Sequence, residues 1–217
     1  MSTFTLNCKK CDRLAGFLKE VRSQYPDYHG LPVPSFGDPA ARLLVVGLAP
    51  GMHGANATGR PFTGDHAGIL LYRTLHACGF ASQPEGTSVN DGLELIDCRI
   101  TNAVRCLPPQ NKPVGAEVNA CNDYLTEELE SLAPGSVVLA LGGIAHRAVI
   151  RALGLKQADY AFGHAAEFAL RDDLQLIDSY HCSRYNTQTR RLTPTMFTAV
   201  FERARALLGD KPGTAVA

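Results

Sequence analysis

Four short segments read as strands, at residues 42–48 (RLLVVGL), 97–105, 137–141 (VVLAL) and 174–180 (LQLIDSY). The first is an apolar run ending in Gly and Pro, which predicts a buried strand. Between these segments, apolar residues recur at helical spacing. A helix is expected over residues 11–24. Another is expected over 65–78, with an acidic start and a stripe of Ile69, Tyr72, Leu75 and His76. A third covers 114–132, with Val118, Cys121, Leu125, Leu129 and Leu132 on one face. A fourth follows Gly142-Gly143 to about residue 153, and a fifth spans 194–208 with Pro in its first turn. Residues 26–41, rich in Pro and Gly, read as a loop, and 210–217 as a frayed tail after one domain over 1–209.

Strands alternating with helices predict parallel βαβ units, hence a three-layer α/β sandwich. Active sites in such sheets lie beyond the carboxyl ends of the strands. Segments 47–62, 102–112 and 181–186 follow the first, second and fourth strands, so they are expected to converge on one cleft. The Gly142-Gly143 turn after the third strand reads as structural.

The charge count changes this picture little: 21 basic residues balance 21 acidic ones over 217 residues. A zero sum counts against a uniformly basic nucleic-acid binder. The distribution is more informative. Residues 181–193 hold Arg184, Arg190 and Arg191 with no acid, and residues 101–112 hold Arg105 and Lys112 with no acid. These are either solvated loops or a local basic face. No apolar run is long enough to span a membrane, and the polar start MSTFTLNCKKCDR does not resemble a secretory signal, so a cytoplasmic protein is expected. Seven cysteines in a reducing compartment favour metal or redox chemistry over disulfides.

Four segments could carry chemistry. GLAPG at 47–51 continues into TGRPFTGD at 58–65. A strand, a Gly/Pro loop and a helix start offer backbone N–H groups to an anion, or simply make a tight turn. Phe62 is either core or a stacking platform for a ligand's π face. In TNAVRC at 101–106, Asn102 stands where a strand meets a loop. Its amide is a donor and an acceptor, so it either stabilises the turn or matches the O4 and N3–H edge of uracil. In HCSRYN at 181–186, His181 is a structural histidine or one at a cleft mouth. Cys8 and Cys11 form C-x2-C, and Cys106 and Cys121 follow far downstream. Four thiolates suit tetrahedral zinc or a [4Fe–4S] cluster, and the spacing alone does not separate them. Cys78, Cys98 and Cys182 read as small buried hydrophobes.

In order, and over nearly the whole chain from Cys8 to about Leu208, these segments resemble the iron–sulfur uracil-DNA glycosylases. GLAPG with TGRPFTGD resembles the first motif of that superfamily, TNAVRCLPPQNKP with Cys121 its second cysteine pair, and HCSRYNTQTRRLT its H-x-S-x-x-N motif. Each alone is unspecific, whereas the ordered set is not. Leu48 stands where family-four enzymes carry an acid associated with the catalytic water, and this places the resemblance in family five (UDGb). Cys182 stands where Val or Pro is usual.

The resemblance implies an α/β/α sandwich around a four-stranded parallel sheet, a [4Fe–4S] cluster on Cys8, Cys11, Cys106 and Cys121, and a monomer. It implies a DNA partner carrying uracil or other deaminated bases, and hydrolysis of the N-glycosidic bond of an extruded base. Gly47, Ala49, Gly51, Phe62 and Asn102 would bind the base. His181 would donate to the developing oxyanion at O2. Asp65, the nearest acid once Leu48 is apolar, would position water. Ser183, Arg184, Tyr185, Asn186, Arg190 and Arg191 would hold DNA. Two other readings stay open on the residues themselves: a cysteine-clustered metal protein that binds nucleic acid without catalysis, and an electron-transfer protein.

Overall fold

The computed structural model describes residues 4–171 and 173–209; the expected tail at 210–217 lies outside the described residues. The four predicted strands form as β2 (Leu43–Gly47), β3 (Cys98–Asn102), β4 (Ser136–Leu141) and β6 (Leu174–Ser179). All are parallel, β3 and β4 flanking β2 and β6 beside β4. Two strands the pattern does not predict extend the sheet: β1 (Phe36–Gly37), antiparallel to β3, and β5 (Glu167–Arg171), antiparallel to β6. The sheet therefore has six strands, in the order β1-β3-β2-β4-β6-β5. The expected four-stranded parallel sheet is its interior.

Alternate residues of each central strand point to opposite faces, which divides the core in two. Leu43, Val45, Val137 and Leu139 face α3 (His66–Ala77) and α7 (Pro194–Leu208), packing on Leu71, Tyr72, Leu75, Phe197 and Phe201. Leu44, Val46, Val138 and Ala140 face α4 (Gly115–Glu130) and α5 (Gly143–Ala152), packing on Leu125, Leu129, Ala148 and Val149. A third cluster seats α1 (Asp12–Gln24) through Leu14, Leu18 and Val21 on Val104 and Leu107, just beyond β3.

Ile69 departs from the expected stripe. It is 52% exposed, because the buried face of α3 runs through Gly68, Leu71, Tyr72 and Leu75 instead. The short helices α2 (Ala55–Thr58) and α6 (Arg184–Gln188) lie within segments read from sequence as loops. The chain leaves β2 towards β3 on one side and reaches β4 and β6 on the other. The strand order thus reverses beside β2, the place where open parallel sheets bind ligands.

Candidate active site and cysteine pocket

A cavity of about 390 Å³ opens at the carboxyl ends of β2, β3, β4 and β6, within the range of about 300–1,000 Å³ usual for small-molecule sites. The three expected segments do converge here. Leu48, Ala49, Gly51, Phe62 and Asp65 come from the first, Asn102 and Asn111 from the second, and His181 and Ser183 from the last. The turn after β4 contributes Gly142, Gly143 and Ile144, so it is part of the site and not the plain connection its sequence suggests.

Gly47 does not line the cavity. It ends β2 behind it, where a Cβ would overlap both Asn102 Oδ1 and the Phe62 ring. A bare backbone at 47 lets those two side chains reach the cavity together. Phe62 adopts a left-handed φ of 54°, a conformation costly for a bulky residue and often found where the surrounding structure imposes it at a site. Its ring stacks on His181, with centroids 5.9 Å apart and planes 27° off parallel.

Two buried polar atoms here have no hydrogen-bond partner: Asn102 Oδ1 and His181 Nδ1. Burying such groups unpaired costs about 1–3 kcal/mol each, so their presence in one cavity points to a ligand that supplies the partners. Burial holds the His181 imidazole below its ordinary pKa of 6.5, while the nearby Asp65 carboxylate acts in the opposite sense. The neutral ring is therefore the resting form at neutral pH.

Asp65 has two separable functions. Its Oδ1 accepts from the backbone N–H of Gly68 at 3.0 Å, capping α3, while Oδ2 lies against Gly51 and Gly54. One oxygen serves the helix and leaves the other to the cavity. The His181 loop is held by its own residues. Ser183 caps α6, and Asn186 donates its amide to the His181 carbonyl at 2.8 Å. Asn186 thus fixes His181 in place, a role the sequence assigned to DNA contact.

Of the remaining expected DNA-binding residues, Arg184, Tyr185, Arg190 and Arg191 are exposed, Tyr185 to 70%. The Arg191 guanidinium lies 4.5 Å from the Tyr180 ring centroid. The second predicted basic segment does not form a face. Arg105 is 4% exposed at its side chain and pairs with Glu128 at 2.5 Å and with Ser35. Sequence reading also missed Asn111, which lines the cavity with a left-handed φ of 56°. That conformation is easier for Asn than for most residues, and the polar PPQN run offered the available signal.

Cys8, Cys11, Cys106 and Cys121 gather in a second, much smaller pocket between α1, α4 and the chain after β3. Burial, reinforced by the neighbouring thiols, pushes Cys106 up to about 12; burial also pushes Cys121 up to about 11. The Arg105 backbone N–H donates to Cys121 Sγ at 3.3 Å and the Tyr124 hydroxyl to Cys8 Sγ at 3.2 Å. Among the described residues, no three His, Cys, Asp or Glu side chains are grouped as ligands of a metal ion. Cys98 and Cys182 are buried in the core as expected, and Cys78 is half-buried against it.

A further histidine, His146, is fully enclosed. Its Nδ1 lies 2.9 Å from Asp178 Oδ1 and its Nε2 2.9 Å from the Tyr160 carbonyl, which requires a proton on Nε2. Both nitrogens are occupied, and the pair ties α5 to β6 away from the cavity.

The model of the uracil DNA glycosylase superfamily matches residues 34–205. The type-5 uracil-DNA glycosylase of Thermus thermophilus is 45% identical over 93% of this chain and 94% of its own. The type-5 uracil-DNA glycosylase of Pyrobaculum aerophilum is 41% identical over 94% and 90%. The type-4 uracil-DNA glycosylase of Archaeoglobus fulgidus is 32% identical over 70% and 62%. Matched over nearly its full length by type-5 enzymes, and carrying Leu48 in the first motif, the chain belongs to the uracil-DNA glycosylase superfamily, in its type-5 branch.

Proposed function

We propose that the protein is a DNA repair glycosylase that extrudes uracil, and other deaminated bases, into the cavity and hydrolyses the N-glycosidic bond. The observation that carries this reading is the pair of unpartnered buried atoms, Asn102 Oδ1 and His181 Nδ1, in one cavity beside an aromatic face. Asn102 Oδ1 accepts from uracil N3–H, its amide N–H donates to O4, and the Phe62 ring stacks on the base. Extrusion costs a few kcal/mol, which these contacts offset.

As the glycosidic bond breaks, negative charge grows on the uracil and positive character on the sugar. His181, neutral through burial, donates an N–H to O2; a well-placed donor of this kind contributes about 3–4 kcal/mol to the transition state. Asp65 Oδ2 positions water and supports the positive sugar. Because leaving-group departure runs ahead of attack, the water needs placement more than deprotonation. Asn111 lines the same cavity and is placed to help hold that water.

The cysteine pocket supports a [4Fe–4S] cluster held by Cys8, Cys11, Cys106 and Cys121. Two donors already point at sulfur there, the Arg105 backbone N–H at Cys121 and the Tyr124 hydroxyl at Cys8, the kind of outer hydrogen bonding that orients ligands of a bound group. The four cysteines share one pocket, and four thiolates are the ligand set of a [4Fe–4S] cluster. When bound, the cluster supplies an oxidisable clamp between α1 and α4, remote from the bond being cleaved. A monomer acting in the cytoplasm completes the reading.

The test is alkali cleavage of end-labelled DNA carrying a single uracil, hypoxanthine or preformed abasic site. Scission at the uracil after incubation is expected, and at hypoxanthine if the base range is broad. A uracil strand that stays intact while the abasic control is cut would overturn the assignment.

A further inference from the structure

A second groove, of about 460 Å³, runs beside the base cavity and shares Asp65 with it. One side is the outer stripe of α3, where His66, Ile69 and Arg73 recur at helical spacing. The other is the turn at residues 85–87, and Arg184, the first residue of α6, lines it as well.

The walls are built, not incidental. A Cβ on Gly86 would lie 2.6 Å from the Tyr72 ring and 3.0 Å from the Arg60 guanidinium, so the turn sits flush on the core and only Gly fits. Arg60 pairs with Asp91 through two hydrogen bonds of 2.8 and 2.6 Å, both side chains nearly buried. Asp91 also accepts from the backbone N–H groups of Thr87 and Ser88. On the opposite side, His66 Nε2 lies 3.1 Å from Thr187 Oγ1, tying α3 to α6. Between these fixed walls stands Ile69, half exposed for no reason of core packing. Arg73 meets Glu85 at 3.6 Å with both side chains more than half exposed, a pair of little intrinsic strength.

We propose that this groove holds the DNA strand adjoining the extruded nucleotide, with phosphates at Arg73 and Arg184 and a sugar against Ile69. Continuity with the base cavity through Asp65 gives the strand its path, and Arg73 and Arg184 offer its phosphates two guanidinium groups, one of them set against the Glu85 carboxylate. Glu85 is then a placeholder, a carboxylate that occupies Arg73 until a phosphate displaces it. The proposal rests on the glycosylase reading for its ligand, but its readout is binding rather than cleavage.

The experiment measures the affinity of a duplex carrying one tetrahydrofuran abasic-site analogue as a function of salt. Wild type, Arg73→Ala, Glu85→Gln and Arg151→Ala are compared, the last removing one exposed charge at the far end of α5. Arg73→Ala is expected to weaken binding and reduce the salt slope by about one. Glu85→Gln is expected to tighten binding, and Arg151→Ala to keep the wild-type slope. Trimming the duplex from one side of the analogue, and not from the other, is expected to abolish the Arg73→Ala defect. A wild-type slope in Arg73→Ala would overturn the proposal, as would an equal defect in Arg151→Ala. Failure of wild type to release uracil would instead count against the glycosylase reading.

Discussion

Asn102 ends β3 and Cys106 follows it closely, yet one faces the base cavity and the other the cysteine pocket, and the two hollows treat their polar atoms in opposite ways. In the base cavity the important atoms are left wanting: Asn102 Oδ1 and His181 Nδ1 are buried and unpaired. In the cysteine pocket, Cys121 and Cys8 already accept hydrogen bonds from Arg105 N–H and Tyr124 O–H. A cavity that takes up and releases a base benefits from partners that come and go with the ligand. The cluster proposed for the cysteine pocket would instead benefit from a permanent frame. Even Arg105 follows this division, since its guanidinium is locked to Glu128 and Ser35 and unavailable to DNA.

The comparison is broken most severely at the cysteines. Cys106→Ala is expected to abolish visible colour and iron binding and to destabilise the fold, because ligation and folding are coupled. Cys182→Ala, in the core beside the site, is expected to leave the colour intact. Iron analysis and absorbance of anaerobically prepared protein check both, and stoichiometric zinc without iron would contradict them.

Next comes His181→Ala, expected to lower the single-turnover rate by about two orders of magnitude or more while changing DNA affinity much less. The wild-type rate should stay flat from about pH 8 through 6.5, the ordinary imidazole value, and fall only further below it, where the depressed imidazole becomes charged. The same sign holds for stability: the unfolded chain takes up this proton more readily, so the folded state loses ground as pH falls below the ordinary value. A rate that rises on acidification would contradict a neutral donor.

Asp65→Asn keeps an N-cap and removes the charge, so it separates the two functions of that residue. A loss of about 10²-fold in rate with unchanged thermal stability is expected, at the low end of the general-base range of about 10²–10⁴. Asp65→Ala should in addition lose about 1 kcal/mol of stability with the cap. If the Asn variant keeps a normal rate, the cap is the residue's whole role and the water belongs to Asn111 or the loop backbone.

The smallest effect sharpens the contrast between free and locked arginines. Arg184→Ala and Arg190→Ala should each flatten the salt dependence of DNA binding by about one unit. Arg105→Ala should leave that slope alone and lower stability instead, because the half-buried Glu128 loses one of its two guanidinium partners and keeps only Arg99.

How much of this was legible in the sequence follows the same physical lines. Of the four central strands, β2 and β4 are nearly continuous apolar runs because both faces are covered, so they could be read directly. The edge strand β5 alternates exposed with more buried residues over only five positions, and β1 has two residues, so neither stands out as an apolar run. Asp65, Asn102 and His181 stand out because they open a helix or follow a strand within distinctive motifs, and Phe62 because it lies in the first of them. The Gly142-Gly143 turn does not, because its contribution is bare backbone and only the topology shows where it points. Arg105 was misread for the converse reason: charge is visible in sequence, and its burial against Glu128 is not.

The central claim is that the unpaired groups of the cavity receive the base, and Asn102→Ala tests it most directly. Single-turnover excision from a duplex with one uracil is measured beside affinity for the same duplex without uracil. The account predicts a rate lowered by about 5- to 150-fold, the discrimination expected of about 1–3 kcal/mol of lost base contact, with affinity for the plain duplex unchanged. Excision at the wild-type rate by the Asn102→Ala enzyme would contradict it.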